Sequence, residues 1–174
     1  MKFKFSLNTK TLDQIIKISK EKYRVEVGVI NGGDFIDDKG NITVAGYGLV
    51  NEFGSATRGI PERSFIRVPL NLHLNEHIRD YKEKYINFLF KSQKIDKAYN
   101  YLGVNAKKII VEAFSTSNDG LWPPNSPRTI KGRKKGKKKN KKNKENNNQT
   151  GTGKPLIDSG RLRKSISYRV VNND

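Results

Sequence analysis

A run of lysine and asparagine between Lys131 and Gln149 decides which parts of this chain can form a core. Residues 131–145 contain nine lysines, one arginine and one glutamate, a net charge of +9, and the rest of the 174-residue chain carries the other +9 of its formal +18. Closely spaced like charges repel and are costly to bury, so the run is predicted to be solvated and disordered. We therefore interpret the chain as one domain, 1–174, with a Lys/Asn-rich disordered insertion at 131–153.

Alternation of apolar and polar residues predicts short strands in three places. They lie at residues 3–7, in "YRVEVGVI" from Tyr23, and in "SISYRV" near the C-terminus. A capping box of Thr11 and Gln14 predicts a helix between the first two strands. In "FIDDKGNITV", turn residues between two short apolar pairs indicate an extended hairpin arm that ends at Val44.

Helical spacing of apolar residues predicts three further helices. In "AGYGLVNEF" the apolar side consists of Ala45, Leu49, Val50 and Phe53, and Gly54 is positioned to end the helix. Two longer helices follow, separated near Ser92, and their apolar stripes are Leu74, Ile78, Tyr81, Tyr85 and Leu89 in the first and Ile95, Tyr99, Leu102, Ala106, Ile110 and Ala113 in the second. The predicted fold class is α+β, an antiparallel sheet with the two longer helices packed on it.

Composition excludes several kinds of site. The chain has no cysteine, which rules out disulfides, thiolate metal sites and a cysteine nucleophile. No apolar stretch approaches the roughly 18 residues of a membrane span, and "MKFKFSLNTK" alternates where a signal peptide would be continuously apolar. We expect a protein that is soluble in a reducing cytoplasm, carries no leader and makes no membrane contact.

Polar clusters that could support catalysis or metal binding are sparse. His73 and His77 have a spacing that can place two ligands on one helical face, but no third ligand is identifiable, and we interpret them as surface histidines beside the core. Ser55, Ser64 and Ser159 lack the context of a nucleophile elbow. We expect no catalytic, metal or cofactor site, and no enzyme activity.

The basic run is a candidate for nucleic-acid contact. Its cations can neutralise phosphates in a salt-sensitive way without reading sequence, because no aromatic side chain is interleaved to stack on bases. The alternative is a tolerated surface-loop insertion, since Lys and Asn share A-rich codons. The candidate contact residues are Arg133, Lys134, Lys135, Lys137, Lys138, Lys139, Lys141 and Lys142.

Two loops combine backbone-restricting residues with arginine. "GSATRGIPERSFIRVPL" and "GKPLIDSGRLRKSISYRV" contain glycine and proline beside arginines and apolar anchors. Stiff loops lose little entropy on binding, and arginine beside an aromatic residue is typical of interface hot spots. We predict that Arg63, Phe65, Arg161 and Arg163 serve assembly and not subunit stability; the alternatives are solvated arginines at a helix start and, for the phenylalanine, a core position. The candidate interface residues are Arg58, Arg63, Phe65, Arg67, Arg161 and Arg163.

Three stretches in this order resemble one family. They are "NEFGSATRGIPERSF" at 51–65, "WPPNSPRTIKGR" at 122–133 and "KPLIDSGRLRKSISYRV" at 154–170. Together they are similar to the neck and tail-completion proteins of tailed bacteriophages, also called head–tail joining or virion-morphogenesis proteins. The chain departs from the family pattern at Ser64, where a second proline is usual, and in the Lys/Asn run, where the family has a short connection.

The resemblance implies a structural virion protein. Its members are compact α+β subunits that form a cyclic ring, most often six-fold, between the head connector or adaptor and the tail tube or tail terminator, after assembly in the host cytoplasm. The alternative is a basic nucleic-acid-binding protein of ribosomal or nucleoid type, which the net charge alone would favour. Half of that charge sits in one run without aromatic residues, whereas a dedicated binder is expected to carry it on structured elements.

Overall fold

The computed structural model describes the greater part of the chain outside the Lys/Asn run. The described residues are 13, 16–18, 20, 23–30, 42–91, 95–127, 129–130, 154–157 and 159–172. The predicted strand at 3–7, the capping box, most of the predicted hairpin arm and the predicted disordered insertion lie outside these residues. Residues 13, 16–18 and 20 are helical, where a helix was predicted.

The fold is α+β, with a two-stranded antiparallel sheet. Strand β1 is Tyr23–Val29 and strand β2 is Ile166–Asn172, and each residue of β1 lies opposite one of β2 in continuous register. Val27 lies opposite Tyr168 in this ladder. Both strands were predicted from their alternating residues, and the pairing joins segments from opposite ends of the chain.

The helices follow the predicted order with one additional break. The elements are α1 (Val44–Phe53), a 3₁₀ turn (Ala56–Arg58), α2 (Arg67–Asp80), α3 (Lys82–Ile86), a π-helical turn (Asn87–Lys91), α4 (Ile95–Thr116) and α5 (Arg161–Lys164). The first long helical pattern is interrupted at Tyr81, whose ψ of 18° departs from helical geometry. No helix in the described part of the chain combines the length and the apolar character that a bilayer-spanning segment needs.

Helix α4 forms the centre of the fold. It packs on both strands, and α2 packs on α4. Gly103 lies where α4 meets the sheet, since a Cβ there would stand 2.2 Å from the Tyr168 ring. The predicted stripe of α4 is confirmed at Ile95, Ala106 and Ile110, and the core continues through Phe114. Other buried residues of this core are Val44, Phe65, Ala113, Trp122, Leu156, Leu162 and Ile166.

Helix α1 is where it was predicted, but it buries the opposite side. Leu49 and Phe53 were assigned to its buried side and are 61% and 56% exposed, while Gly48 and Glu52 are buried. The reason is close packing, because the Cα of Gly48 approaches the core so that a Cβ would stand 3.2 Å from Leu162. A small residue is required at that approach, and the apolar pattern therefore indicated the wrong face.

The predicted end of the hairpin arm is also wrong. Val44 is the first residue of α1, and the Oγ1 atom of Thr43 accepts a hydrogen bond from the backbone N–H of Gly46 at 3.0 Å. This is the geometry of a helix N-cap. Val44 therefore belongs to the helix, whereas Thr43 lies in a β-bridge and also caps the helix.

Candidate functional site

A buried carboxylate, Glu52 at the end of α1, organises the start of α2. Glu52 is 4% exposed. Its Oε2 atom accepts hydrogen bonds from the backbone N–H groups of Phe65 at 2.7 Å and Ile66 at 3.0 Å. Its Oε1 atom accepts from the Ser64 hydroxyl at 2.7 Å, from the backbone N–H of Arg67 at 3.0 Å and from the Nε atom of Arg67 at 3.2 Å. A negative charge at a helix N-terminus satisfies orphan N–H groups and favours the helix dipole.

Ser64 completes this helix start. Its Oγ atom accepts from the backbone N–H of Val68 at 3.1 Å while donating to Glu52. Ser64 stands where the resembled family usually has proline, and its hydroxyl group caps the helix. Pro69 lies in the first turn of α2, where the missing N–H costs no helical hydrogen bond.

Arg63 joins the first motif to the proline-rich second motif. It is 8% exposed, and its guanidinium donates from Nε to the Pro123 carbonyl and from Nη2 to the Pro124 carbonyl, both at 2.9 Å. The indole N–H of Trp122 donates to the Ser64 carbonyl at 2.9 Å. Three hydrogen bonds therefore hold the two segments together across about sixty residues of sequence.

The third motif is anchored in the same core. Leu156 and Leu162 are 5% and 3% exposed and pack with Phe65 and Trp122. The side-chain amide of Asn125, in the second motif, donates to the Lys154 carbonyl at 3.1 Å. All three motif segments thus meet at one place, although Asp158 of the third lies outside the described residues.

Two candidate interface residues belong to the subunit interior. Phe65 is 1% exposed, and its ring centroid lies 5.4 Å from that of Phe114 in the core. Arg63 is buried between the two motif loops by the bonds described above. Their contacts are made within one chain, and their loss would leave a cavity or unpaired carbonyls, so both residues contribute to the stability of the subunit, while their role in assembly stays a prediction.

The other candidate interface residues lie nearer the surface. Arg58 is exposed in the 3₁₀ turn, Arg161 is exposed at the start of α5 and Arg163 is half-buried. Arg67 has a half-exposed side chain that pairs with Glu62 at 2.8 Å. The Arg67 guanidinium also lies over the Phe53 ring, 4.4 Å from its centroid, as in a cation–π contact.

The loop that carries Arg58 is a closed turn. Ser55 and Ile60 form a bridge, with the Ser55 N–H donating to the Ile60 carbonyl at 2.8 Å and the Ile60 N–H donating back at 2.9 Å. Beside it lies a groove of about 360 Å³ between the first and second motifs, lined among others by Tyr47, Pro61 and Pro124. Residues of all three motifs line this groove, and the exposed Leu49 and Phe53 side chains lie on α1, directly before the turn.

The histidine pair has separate partners. His73 Nε2 lies 2.9 Å from Asp119 Oδ2, while the His77 ring lies 4.5 Å from the Tyr81 ring, centroid to centroid. Burial is the main cause that lowers the pKa of His77, and the nearby Lys108 lowers it further. Within the described ranges no group of three or more His, Asp or Glu side chains is arranged to hold a metal ion.

Sequence reasoning missed Glu52 and Trp122 as organising residues. The signal for Glu52 was that it is the single acidic residue of an apolar helix, and that the next helix has no acidic residue in its own first turn. The eight candidate nucleic-acid contacts in the basic run, from Arg133 to Lys142, lie outside the described residues.

Comparison of the chain with family models, with curated proteins and with solved structures returns no match.

Proposed function

We propose that this chain is a neck or tail-completion subunit of a tailed bacteriophage, which forms a ring that joins the head connector or adaptor to the tail tube or tail terminator. The role is structural and requires no catalysis, cofactor or metal. The subunit would act in the virion after assembly in the host cytoplasm. The proposal rests on the motif resemblance together with the meeting of the three motif segments at one place in the fold.

That meeting is the observation that carries the proposal. Segments spread from residue 51 to residue 170 resemble one family in the same order, and a shared architecture would require them to be in contact. The bonds from Arg63 to the Pro123 and Pro124 carbonyls join two of them. Leu156 and Leu162 bring the third into the same core. The motif residues therefore act as a unit, although they are far apart in sequence.

The surface around this unit suits contacts between subunits. Leu49 and Phe53 are large apolar side chains that are more than half exposed on one side of α1. The Arg67 guanidinium lies over the Phe53 ring, Arg58 lies in the 3₁₀ turn that follows α1, and exposed aromatic and arginine side chains are typical of interface hot spots. A ring contact joins this patch to a different patch on the next subunit. The closed turn at Arg58 is already ordered, so binding costs little loop entropy.

Electron microscopy of the purified chain tests the proposal. We expect ring-shaped class averages, and Arg58→Glu is expected to abolish them, whereas the matched charge reversal Lys82→Glu on α3 leaves them intact. Removing an interface hot spot costs roughly 1–3 kcal/mol per contact, and a ring repeats that loss at every interface. Both variants should melt at the wild-type temperature, because both side chains are exposed.

A phage that encodes this chain gives the second test. Arg58→Ala combined with Arg161→Ala is expected to yield filled heads and separate tails that do not join. Monomers at every concentration, or infectious particles at normal yield from the double variant, would refute the proposed interface. Sequence-independent DNA binding by a monomer whose folded body carries the contact would favour the alternative, a basic nucleic-acid-binding protein.

A further inference from the structure

An acidic cavity lies between α2 and the C-terminal half of α4, and its volume is about 320 Å³. The turn that follows α4 closes one side of it. The polar residues that line the cavity include Glu76, His77, Asp80, Glu112, Asn118 and Asp119. Four of these are carboxylates, in a chain whose formal net charge is +18.

The electrostatic environment of the cavity favours a cation. Helix α2 ends at Asp80 and α4 ends at Thr116, so the negative ends of two helix dipoles lie near the cavity. Arg79 lies 3.2 Å from Glu76 and 3.6 Å from Asp80, which offsets part of the negative charge. Glu112 has no ion pair within the described residues and lines the cavity directly.

Asn118 provides independent evidence for a ligand. The residue is 2% exposed, it lines the cavity, and its Oδ1 atom is buried without a hydrogen-bond partner in the described part of the chain. Its backbone has a φ of 52° and its N–H donates to the Ala113 carbonyl at 2.8 Å, which fixes the main chain from which the side chain projects. A buried acceptor of this kind is costly unless a donor satisfies it.

His77 adds a second buried polar atom with no partner among the described residues, Nε2. Because burial and Lys108 lower its pKa, the imidazole is neutral near pH 7 and can accept a hydrogen bond through Nε2 in the tautomer protonated at Nδ1. The cavity therefore combines neutral acceptors with carboxylates. This set matches a ligand that carries several N–H donors and a positive charge.

We propose that this cavity binds a guanidinium or primary ammonium group, with Asn118 Oδ1 as a fixed acceptor and Glu112 as the principal counter-charge. The group would come from a basic side chain of a second copy of this chain or from a small free amine. A planar guanidinium offers five N–H donors to acceptors on several sides, and an ammonium offers three. The inference is independent of the proposed role in head–tail joining, because it depends only on the cavity.

Titration with N-methylguanidinium chloride at constant ionic strength, followed by nuclear magnetic resonance of the full chain, tests the site. We expect saturable shifts of the Asn118 side-chain amide and the His77 ring, with a dissociation constant in roughly the millimolar range for so small a probe. Glu112→Gln and Asn118→Gly should each weaken binding by roughly threefold to tenfold, and glycine tolerates the left-handed backbone at position 118.

The matched control is Asp96→Asn, which removes the same charge from the first turn of α4. This residue lies sixteen positions before Glu112, roughly 24 Å along the helix, and the affinity should stay within about twofold of wild type. Light scattering of a concentration series identifies the source. Self-association that excess methylguanidinium reverses assigns the ligand to a second copy, whereas binding without any effect on association assigns it to a free amine.

Three results would overturn the proposal. One is the absence of saturable shifts up to about 50 mM probe. Another is equal weakening by Asp96→Asn and Glu112→Gln, which would indicate general electrostatic attraction. The third is tighter binding of Zn²⁺ at the same residues, displacing the probe, which would make the cavity a metal site. If Asn118→Gly fails to fold in a circular dichroism melt, Glu112→Gln decides alone.

Discussion

Replacing Glu52 by glutamine should destabilise the subunit although the change is nearly isosteric. The Glu52 carboxylate accepts five hydrogen bonds from residues 64–67, two at Oε2 and three at Oε1. A glutamine keeps one acceptor oxygen and turns an NH₂ group toward N–H donors, so at least the two bonds of one oxygen are lost. At roughly 1.5 kcal/mol for each bond to a charged acceptor, Glu52→Gln should lower the free energy of unfolding by about 3 kcal/mol.

Urea and thermal unfolding followed by circular dichroism at pH 7 measure this loss. For a chain of this length, 3 kcal/mol corresponds to a fall of about 6–12 °C in the melting temperature. Glu62→Gln is the matched control, because Glu62 is also a glutamate paired with Arg67, at 2.8 Å, but its side chain is 53% exposed. An exposed pair contributes about 0–1 kcal/mol, so this variant should melt within a few degrees of wild type.

The reasoning about the capping carboxylate fails if Glu52→Gln unfolds within about 1 kcal/mol of wild type, or if Glu62→Gln loses as much. A Glu52→Gln variant that keeps its stability would mean that water or rearranged side chains satisfy the first N–H groups of α2. The α2 start would then be a consequence of packing by Phe65 alone.

Two other predictions rest on specific contacts, and a third rests on the composition of the Lys/Asn run. Arg63→Ala should lower the free energy of unfolding by about 2–4 kcal/mol in the same assay, since two hydrogen bonds from a buried, charged guanidinium to the Pro123 and Pro124 carbonyls are lost, and an unchanged melting temperature would contradict that. The Arg169 hydrogen bond is the main cause that lowers the pKa of Glu26 below 4.5, so the stabilisation from this pair is present at neutral pH and is lost as pH falls through the lowered pKa. The free energies of unfolding of wild type and Glu26→Gln should therefore converge in acid. A difference between them that stays constant with pH would refute this prediction. Replacing residues 131–149 by a short Gly/Ser linker should leave the melting temperature within a few degrees, corresponding to less than about 1 kcal/mol, and should sharply reduce any salt-sensitive DNA binding, which a filter-binding assay measures; loss of cooperative unfolding, or undiminished binding, would show that the prediction is wrong.

The strands and the central helix were predictable because their patterns depend on local spacing. β1 and β2 alternate with a period of two, and α4 repeats apolar residues over twenty-two positions, so each has one plausible buried side. Helix α1 is short, and after Val44 its inner side includes a glycine that permits close approach and a glutamate that caps another helix. Neither residue contributes to an apolar pattern, which is why the predicted face was wrong.

The motif loops show a second limit of prediction from the sequence. Their stiffness was visible in the glycine and proline content, but the orientation of Arg63 depends on carbonyl groups sixty residues further along the chain. An arginine in a rigid loop has the same local sequence whether it faces solvent or holds two loops together. The partition of the candidate set into Arg63 and Phe65 inside and Arg58 outside therefore required the three-dimensional structure.

The pairing of β1 with β2 has a consequence for the order of folding. Because β1 ends at Val29 and β2 begins at Ile166, the sheet cannot form until nearly the whole described chain has left the ribosome. At about 5–20 residues per second, β1 waits roughly 7–30 s for its partner. Helix α4 ends at Thr116 and β2 begins at Ile166, so the inner side of α4 waits only for about 50 further residues before β2 can cover it, and early α2–α4 packing can cover part of its apolar surface in that interval.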